Sequence, residues 1–271
     1  MSSSPGHRPR KRFGQHFLVD PAILDRLVAV IAPAQGQHMV EIGPGQGALT
    51  QPLLRALDRL DVIELDRDLA RRLLAACGGS DKLRVHQADA LKFDFCALAQ
   101  DMGAQRLRVV GNLPYNISTP LLFHLVTQLD CIEDMHFMLQ KEVVDRITAQ
   151  PGESAYGRLG IMLQYHCRTE SLFPVPPAAF RPPPKVNSAV VRLRPHIAPP
   201  VSVRDPALFS QVVAQAFSQR RKTLRNSLKS LLTADQINAA GIDPAQRPER
   251  LTLVEFAALA DAVAAAVLED H

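Results

Sequence analysis

The sequence predicts an α/β fold, with a mostly parallel sheet covered by helices on both faces and a small all-helical domain at the carboxyl terminus. Short β-rich apolar runs alternate with helical patterns over the first part of the chain, which is typical of a parallel sheet built from strand-helix units. Beyond a linker that contains Pro195, Pro199 and Pro200, only helical spacing remains. The length of 271 residues suits one full α/β domain and a smaller one. The predicted boundaries are 1–12 for a basic amino-terminal arm, 13–198 for the α/β domain and 199–271 for the helical domain.

The individual elements follow in chain order from the hydrophobic pattern. Apolar runs that end in polar or glycine-containing segments predict the first strands at 39–42, 60–65, 83–85 and 107–110. The next predicted elements are a helix at 120–128, a strand at 135–140, a helix at 142–150 and a closing pair of strands at 165–172 and 188–194. In the helical domain the spacing predicts helices at 206–217, 222–232, 234–240 and 253–268.

Composition excludes several classes of protein. The chain has 46% hydrophobic residues, enough for a core, and lacks a run of about eighteen apolar residues that would span a membrane. The amino terminus has no signal-peptide apolar core, so we expect a cytoplasmic protein without a membrane partner. The cysteines form no C-x-x-C pair and have no metal-ligand spacing with histidine, so we expect reduced, mostly buried thiols and no metal site. They are Cys77, Cys96, Cys131 and Cys167.

A glycine-rich segment follows the first predicted strand. Gly43, Gly45 and Gly47 permit a tight turn and a close approach of the backbone to a ligand. Their G-x-G-x-G spacing, with a carboxylate two residues before the first glycine, differs from nicotinamide-binding loops and favours a ligand without a pyrophosphate, such as S-adenosylmethionine. Glu64 closes the second strand 21 residues after Gly43, the usual interval for an acid that binds ribose hydroxyls. Asp89 follows the third strand and is placed to accept a hydrogen bond from the amino group of the cofactor's adenine.

The fourth strand leads into Asn112, Leu113, Pro114 and Tyr115. The amino group of adenine is a poor nucleophile because its lone pair is delocalised, and acceptors for its two hydrogens favour a tetrahedral nitrogen. The Asn112 side chain and the Leu113 carbonyl supply two acceptors, and Pro114 biases the residue before it to an extended conformation. Tyr115 offers an aromatic face for the base. An ordinary loop is the alternative, but ligands of open α/β sheets bind beyond the carboxyl ends of the strands.

These features together resemble the small-subunit ribosomal RNA adenine N6-dimethyltransferases, which are class I S-adenosylmethionine-dependent methyltransferases with a Rossmann-like fold. Two further segments extend the resemblance over nearly the whole chain, Arg-Phe-Gly-Gln-His-Phe-Leu at 12–18 and Phe-Arg-Pro-Pro-Pro-Lys-Val-Asn-Ser at 180–188. The first segment has His16, whereas a common form of this family's signature has asparagine at that position. The residues that the resemblance assigns to cofactor binding are His16, Leu18, Gly43, Gly45, Glu64, Asp89 and Asn112.

The phenylalanine of the proline-rich segment allows two interpretations. A phenylalanine in such a loop usually pins the loop to a core, whereas stiff flanking prolines would let the ring stand at the rim of an active site at little entropic cost. The resemblance favours the second interpretation, in which Phe180 stacks on the target adenine opposite Tyr115, an interaction worth roughly 1–3 kcal/mol. The resemblance also implies that Lys185 contacts RNA phosphate or shapes the loop.

Two segments concentrate positive charge in a chain of net charge +4. One interpretation is a solvated face that only favours solubility. The other is contact with RNA phosphates, which we favour because both segments adjoin motifs of the resemblance. Apolar residues at helical spacing in the second segment predict a helix with one packed face and one basic face. The predicted RNA-binding residues in these segments are Arg10, Lys11 and Arg12 in the arm, and Arg220, Arg221 and Lys222 near the carboxyl terminus.

The resemblance implies that two adjacent adenines in a terminal hairpin of small-subunit ribosomal RNA are dimethylated within a pre-30S particle, with no required protein partner evident. Direct methyl transfer needs no covalent enzyme intermediate, and no dedicated base is compelling, since the methylated ammonium loses its proton readily to water. Three alternatives remain open at this point. They are a nicotinamide dehydrogenase, a DNA adenine methyltransferase and an RNA-binding assembly factor without catalytic activity.

Overall fold

The structure is a computed structural model, and it describes residues 16–78, 80–219 and 221–269. The described chain divides into two compact units. The first comprises the described residues up to Val144 together with Glu170–Pro195, and the second comprises Asp145–Thr169 and the described residues from His196 onward. This division differs from the predicted one, which placed 145–169 in the α/β domain. A chain segment that leaves one unit and returns to it produces no composition shift in the sequence.

The first unit is built on a seven-stranded sheet. The strands are β1 (Phe17–Leu18), β2 (Met39–Ile42), β3 (Leu60–Ile63), β4 (Leu83–His86), β5 (Leu107–Asn112), β6 (Ile132–Gln140), β7 (Cys167–Val175), β8 (Phe180–Arg181) and β9 (Ser188–Pro195). Their order in the sheet is β4-β3-β2-β5-β6-β9-β7. The strands β4, β3, β2, β5 and β6 run parallel, and β9 pairs with β6 in the antiparallel direction. A separate two-stranded antiparallel ladder joins β1 to β8.

The central strands are buried on both faces, as expected for a parallel sheet covered by helices on each side. Every residue of β2 and of β3 is buried, including two acids. One of them, Asp61, is satisfied by the His86 imidazole at 2.6 Å and by Arg59 at 3.1 Å. The strand order reverses between β2 and β5, so a crevice opens at the carboxyl ends of these two neighbours.

Aspartate residues cap the amino termini of several helices of the first unit. Asp20, Asp66 and Asp94 each accept backbone N–H bonds from the first turn of the helix that follows. The helices from the amino terminus up to the unit boundary are α1 (Pro21–Ile31), α2 (Thr50–Ala56), α3 (Arg67–Ala76), α4 (Phe95–Asp101) and α5 (Ser118–Val126), with α6 (Lys141–Thr148) spanning the boundary.

The second unit is helical, as predicted. Its core contains Phe209 and Phe256, both fully buried, and Tyr165 stacks on Phe209 with 4.5 Å between ring centroids. The Tyr156 hydroxyl donates to the Leu251 carbonyl at 2.9 Å, which ties a loop of this unit to its carboxyl-terminal part. The remaining helices are α7 (Arg158–His166), α8 (Pro206–Ala216), α9 (Leu224–Ser227), α10 (Ala234–Ala239) and α11 (Leu253–Glu269).

Two predicted elements of this region are wrong. The helix expected at 222–232 is only the single turn α9, and Arg221 before it has a φ of 77° in the left-handed region, so this turn does not continue α8. The basic residues near the carboxyl terminus therefore do not share one continuous helix. The strand expected at 165–172 starts only at Cys167, since the sequence before it forms α7, a helix that the pattern did not predict.

The cysteines differ from the expectation of four reduced thiols. Cys96 at the start of α4 and Cys131 directly before β6 form a disulfide, with 5.3 Å between their Cα atoms. Cys77 and Cys167 are free thiols. The two bonded cysteines are 35 residues apart, so only the packing of their two segments brings them together. No helix among the described residues is both long enough and apolar enough to cross a membrane.

Candidate active site

A cleft in the first unit lies at the carboxyl ends of β2, β3, β4 and β5. It brings together nearly all of the predicted cofactor and catalytic residues, although they come from four separate strand ends and the amino-terminal segment. The predicted residues that line the cleft are His16, Gly43, Gly45, Glu64, Asp89, Asn112, Leu113, Pro114 and Tyr115.

The glycine loop after β2 forms one wall of this cleft. Gly45 has a φ of 56°, and a Cβ atom at this position would lie 3.1 Å from the Phe17 ring. Gly47 has a φ of 83°, and a Cβ atom there would lie 2.7 Å from the Leu73 side chain. Both positions have a left-handed backbone that favours glycine, and at Gly45 the Phe17 ring also leaves little room for a Cβ atom. The result is a loop whose backbone lies open to the cleft.

Glu64 follows β3 and is positioned by the backbone around it. One carboxylate oxygen accepts from the Asp66 amide at 2.9 Å and the other from the Gly45 amide at 3.2 Å. Burial raises the pKa of the carboxyl group, and these two backbone hydrogen bonds oppose that effect. Because a carboxylate has about four acceptor positions, the two bonds leave capacity for two ligand hydroxyls.

A second buried acid, Glu41, stands behind the glycine loop on β2. It is 2% exposed, and it accepts the Thr50 hydroxyl at 2.6 Å. Burial raises its pKa to about 8, the hydrogen bond from Thr50 opposes this rise, and the nearby charge of Glu64 adds to it. In the sequence this carboxylate is recognisable only as part of the glycine-loop pattern. Its position inside an otherwise apolar strand was the available signal that it is buried.

Asp89 lies on the cleft after β4. One of its carboxylate oxygens accepts from the Leu91 amide at 3.0 Å, which holds the side chain in place. Leu65, which was not among the predicted site residues, also lines the cleft and is 53% exposed. A large exposed apolar side chain next to Glu64 offers an apolar surface for a planar ring. Its position directly after Glu64, the acid that follows β3, is the sequence feature that could have predicted this role.

The Asn112 carboxamide has a defined orientation. Its Nδ2 donates to the His16 carbonyl at 3.1 Å. A carbonyl oxygen can only accept hydrogen bonds, so the NH₂ group of Asn112 must face it. The Oδ1 atom of the same carboxamide therefore points away from the His16 carbonyl. The Oδ1 atom is thus oriented as a hydrogen-bond acceptor by a backbone contact across 96 residues of sequence.

His16 links three parts of the site. Its Nδ1 lies 2.8 Å from the Pro182 carbonyl, so Nδ1 carries a proton in this contact. Its ring stacks on Tyr115 with 5.5 Å between ring centroids. The Tyr115 hydroxyl in turn lies 2.7 Å from the hydroxyl of the fully buried Ser188. Burial raises the pKa of Tyr115, with the Ser188 hydrogen bond opposing it, so the phenol stays neutral at physiological pH.

Phe180 and Leu18 do not occupy their predicted positions. They are opposite each other in the ladder between β1 and β8, and both side chains belong to the apolar core, with Phe180 at 0% and Leu18 at 6% exposure. The backbone pairing turns both side chains inward, away from the cleft. This is a correction to the expected stacking of Phe180 on a base and to the expected cofactor contact of Leu18. For Phe180, the packing interpretation describes the structure.

The predicted RNA-binding residues are surface residues where the structure describes them. Lys185 is exposed in the first unit, and Arg221 and Lys222 are exposed in the second. Arg10, Lys11, Arg12 and Arg220 lie outside the described residues.

Comparisons with known proteins agree with this geometry. Residues 6–265 match the family described as "Ribosomal RNA adenine dimethylase". The chain is 57% identical over 264 residues to "Ribosomal RNA small subunit methyltransferase A" of Pseudomonas aeruginosa, covering 97% of this chain and 98% of the relative. Among solved structures it is similar to a dimethyladenosine transferase from Plasmodium falciparum, with a TM-score of 0.77 and 26% identity, covering 90% of this chain and 96% of the other. The 23S rRNA methyltransferase ErmE has the same fold, with a TM-score of 0.71 and 22% identity over 92% of this chain and 99% of its own.

Proposed function

Because this chain belongs to the ribosomal RNA adenine dimethylase family, we propose that it dimethylates the N6 amino groups of two adjacent adenines in the 3′-terminal hairpin of small-subunit ribosomal RNA. S-adenosylmethionine is the methyl donor. The observation that supports this chemistry most directly is the orientation of the Asn112 amide, because it leaves Oδ1 as a fixed acceptor beside the stacked ring of Tyr115.

The residues around the cleft fit an adenosyl cofactor. Glu64 has acceptor capacity for two ribose hydroxyls, and Asp89 has a second carboxylate oxygen for an exocyclic amino group. The exposed apolar side chain of Leu65 covers the face of an adenine, and the glycine loop allows the amino-acid part to approach the backbone. When bound, S-adenosylmethionine supplies a methyl group that its sulfonium charge makes electrophilic.

The protein's own contribution to methyl transfer is to fix the geometry of the target N6 amino nitrogen. Asn112 Oδ1 accepts one hydrogen of the target amino group, and the Leu113 carbonyl accepts the other. Leu113 is held in place by burial and by its amide, which donates to the Met138 carbonyl at 3.2 Å. Two preorganised acceptors favour the tetrahedral nitrogen that attack requires, and this is where we place most of the rate acceleration.

Tyr115 is the residue that we propose to stack on the target base. Its hydroxyl is held by Ser188 and its ring by His16, so the ring is presented without a further loss of side-chain entropy. A neutral phenol does not take up the proton released after transfer, which leaves to water. With Phe180 in the core, one aromatic ring rather than two carries the stacking.

The physiological substrate that we propose is a pre-30S particle late in assembly, in the cytoplasm. RNA phosphates would be contacted by Lys185 and by the two basic segments, Arg10 to Arg12 and Arg220 to Lys222.

Methyl transfer to under-methylated 30S subunits tests this function. With labelled S-adenosylmethionine and mass-spectrometric mapping of the RNA, we expect two methyl groups on each of two neighbouring adenines near the 3′ end. Fully methylated 30S subunits are the matched control and should accept no label. Label on duplex DNA instead of RNA, or on a base other than adenine, would contradict the proposal.

A further inference from the structure

The proline-rich segment 180–188 does not bring an aromatic ring to the cleft, because Phe180 is fully buried in the core. Both ends of the segment are fixed by strand pairing. Phe180 lies opposite Leu18 in the ladder between β1 and β8, and Ser188 lies opposite Gln140 in the ladder between β9 and β6. The segment is therefore a fixed part of the first unit, and two of its other atoms contact residues that line the cleft.

The first contact is made by the hydroxyl group of Ser188. It lies 2.7 Å from the Tyr115 hydroxyl. Ser188 is fully buried, whereas Tyr115 is only half-buried and lines the cleft, so Ser188 acts on the cleft through the tyrosine. The hydroxyl is the tyrosine atom farthest from the backbone. A hydrogen bond at that atom therefore restricts both side-chain rotations of the ring.

The second contact passes through His16. The imidazole Nδ1 donates to the carbonyl of Pro182 at 2.8 Å, and the imidazole ring stacks on Tyr115 with an interplanar angle of 29°. The backbone carbonyl of the same residue accepts from Asn112 Nδ2 at 3.1 Å. One residue of the amino-terminal segment is thus attached to the proline-rich segment and contacts both Asn112 and Tyr115.

The donor contact of His16 also indicates why histidine can stand where the family's signature commonly has asparagine. The Asn side chain carries an amide nitrogen at the δ position, which is where the imidazole has Nδ1, so either residue can donate to the Pro182 carbonyl. The contact with Asn112 uses a backbone carbonyl, which every residue type has. Only the stacking on Tyr115 requires a ring.

We propose that the proline-rich segment 180–188 orients the base-stacking ring of Tyr115 at two points, directly through Ser188 and from Pro182 through His16. Ser188 and His16 are then positioning residues for methyl transfer. The inference rests on the proposed function, in which Tyr115 stacks on the target adenine. A ring that shifts carries the adenine amino group away from Asn112, and a misplacement of about 1 Å can lower a transfer rate about a hundredfold.

Ser188→Ala tests the direct contact. Single-turnover methyl transfer at saturating 30S and S-adenosylmethionine should fall about tenfold or more, because the ring loses its fixed orientation. The dissociation constant of S-adenosylmethionine in isothermal titration should not change. Ser227→Ala is the matched control, since it removes a hydroxyl from a serine of the second unit that is only 1% exposed. Equal rates for the two variants would overturn the proposal.

Tyr115→Phe removes the other half of the same hydrogen bond and keeps the ring. If the bond acts as one unit, the double variant Ser188→Ala/Tyr115→Phe should be no slower than the slower single variant. Losses that multiply would overturn the proposal, because the two hydroxyls would then act independently. If Ser188→Ala does not fold, Tyr115→Phe alone decides, since this half-buried side chain keeps nearly its full volume. An unchanged rate in that variant would also refute the contact.

Two substitutions of His16 test the path from Pro182. Both keep the backbone carbonyl that contacts Asn112. His16→Asn retains a donor at the δ position and should keep most of the transfer rate, whereas His16→Ala should lower the rate about tenfold, as expected when a hydrogen bond is lost. Equal losses in the two variants would mean that the bond to Pro182 does not carry the effect, and would refute this path.

A measurement without methyl transfer reads the orientation of the ring itself. The chain contains three tyrosines, so NMR spectra of protein labelled with ¹³C-tyrosine have few ring signals. The Tyr115 signal should shift and broaden in Ser188→Ala and His16→Ala, while Tyr156 and Tyr165, both buried in the second unit, serve as internal controls and should not change. An unaltered Tyr115 signal would overturn the proposal.

The same preparations separate this proposal from the proposed function. Normal adenine methylation by Ser188→Ala and His16→Ala refutes the positioning role alone. A Tyr115 signal that responds to both substitutions, in a wild-type protein that methylates no adenine, refutes the proposed function alone.

Discussion

Glu41 offers the sharpest physical test of the cleft, through the substitution Glu41→Gln. Burial raises the pKa of this carboxyl group from an ordinary value of 4.5 to about 8. Below pH 4.5 it is protonated in both the folded and the unfolded chain. As the pH rises from there to about 8, only the unfolded chain gains from ionisation, so the folded state loses stability across this window. Above that window the loss is complete.

The magnitude follows from the two pKa values. One unit of pKa corresponds to about 1.4 kcal/mol, so the interval from 4.5 to about 8 amounts to on the order of 5 kcal/mol. Glutamine is nearly isosteric with the protonated acid and can still accept the Thr50 hydroxyl. The variant should therefore match the wild type at pH 4.5 and become progressively more stable than it up to pH 8.

Two measurements check this reasoning. Urea unfolding of both chains from pH 4.5 to 9 gives the difference in stability, and ¹³C NMR of glutamate-labelled protein gives the titration of the Glu41 carboxyl directly. Thr50→Val is the matched control, since loss of the hydroxyl that lowers the pKa of Glu41 should move its titration to higher pH. A Glu41 resonance that titrates below pH 5, or parallel pH profiles for wild type and Glu41→Gln, would refute the argument.

Three other predictions concern catalysis and binding. Asn112→Ala should lower single-turnover methyl transfer at saturating 30S and cofactor by on the order of a hundredfold or more, with little change in 30S binding, because it removes an acceptor for the reacting amino group. Glu64→Ala should weaken S-adenosylmethionine binding in isothermal titration by about 1.5–3 kcal/mol, the value of a hydrogen bond to a charged group, and should leave RNA binding much less affected. Replacement of Arg220, Arg221 and Lys222 by glutamine should weaken RNA binding and flatten its salt dependence by roughly 0.7–0.9 in the logarithmic slope per lost phosphate contact, without changing cofactor affinity.

Each of these has a clear contrary result. A near-normal chemical step in Asn112→Ala would remove the amide from the mechanism. An unchanged cofactor dissociation constant in folded Glu64→Ala would place the ribose elsewhere. An unaltered salt slope in the triple variant would mean that this basic segment is only a solvated surface.

The grouping of residues in the candidate active-site cleft could be predicted from the sequence, because residues that follow successive strands of a parallel sheet lie close together. The glycine loop, Glu64, Asp89 and Asn112 each follow a strand, and the carboxyl ends of parallel strands meet at one edge. Spacing and residue type were therefore enough to group them. The strands themselves were also readable, since buried strands such as β2 and β5 are short apolar runs.

Long-range contacts were decided only by the tertiary structure. The ladder between β1 and β8 turns Phe180 into the core, and no local pattern distinguishes that position from a place at the rim. The same applies to the disulfide between Cys96 and Cys131 and to the left-handed backbone of Arg221. Each depends on which distant segment packs alongside, and this is a property of the whole fold.

The sequence by itself thus determined which chemical groups the protein carries and at which sheet edge they lie. The tertiary structure determined how those groups are oriented. The acceptor role that we propose for Asn112 depends on the His16 carbonyl 96 residues away, and the raised pKa of Glu41 depends on its burial. Orientation and desolvation arise from atoms that surround a side chain in space, and most of those atoms are remote in sequence.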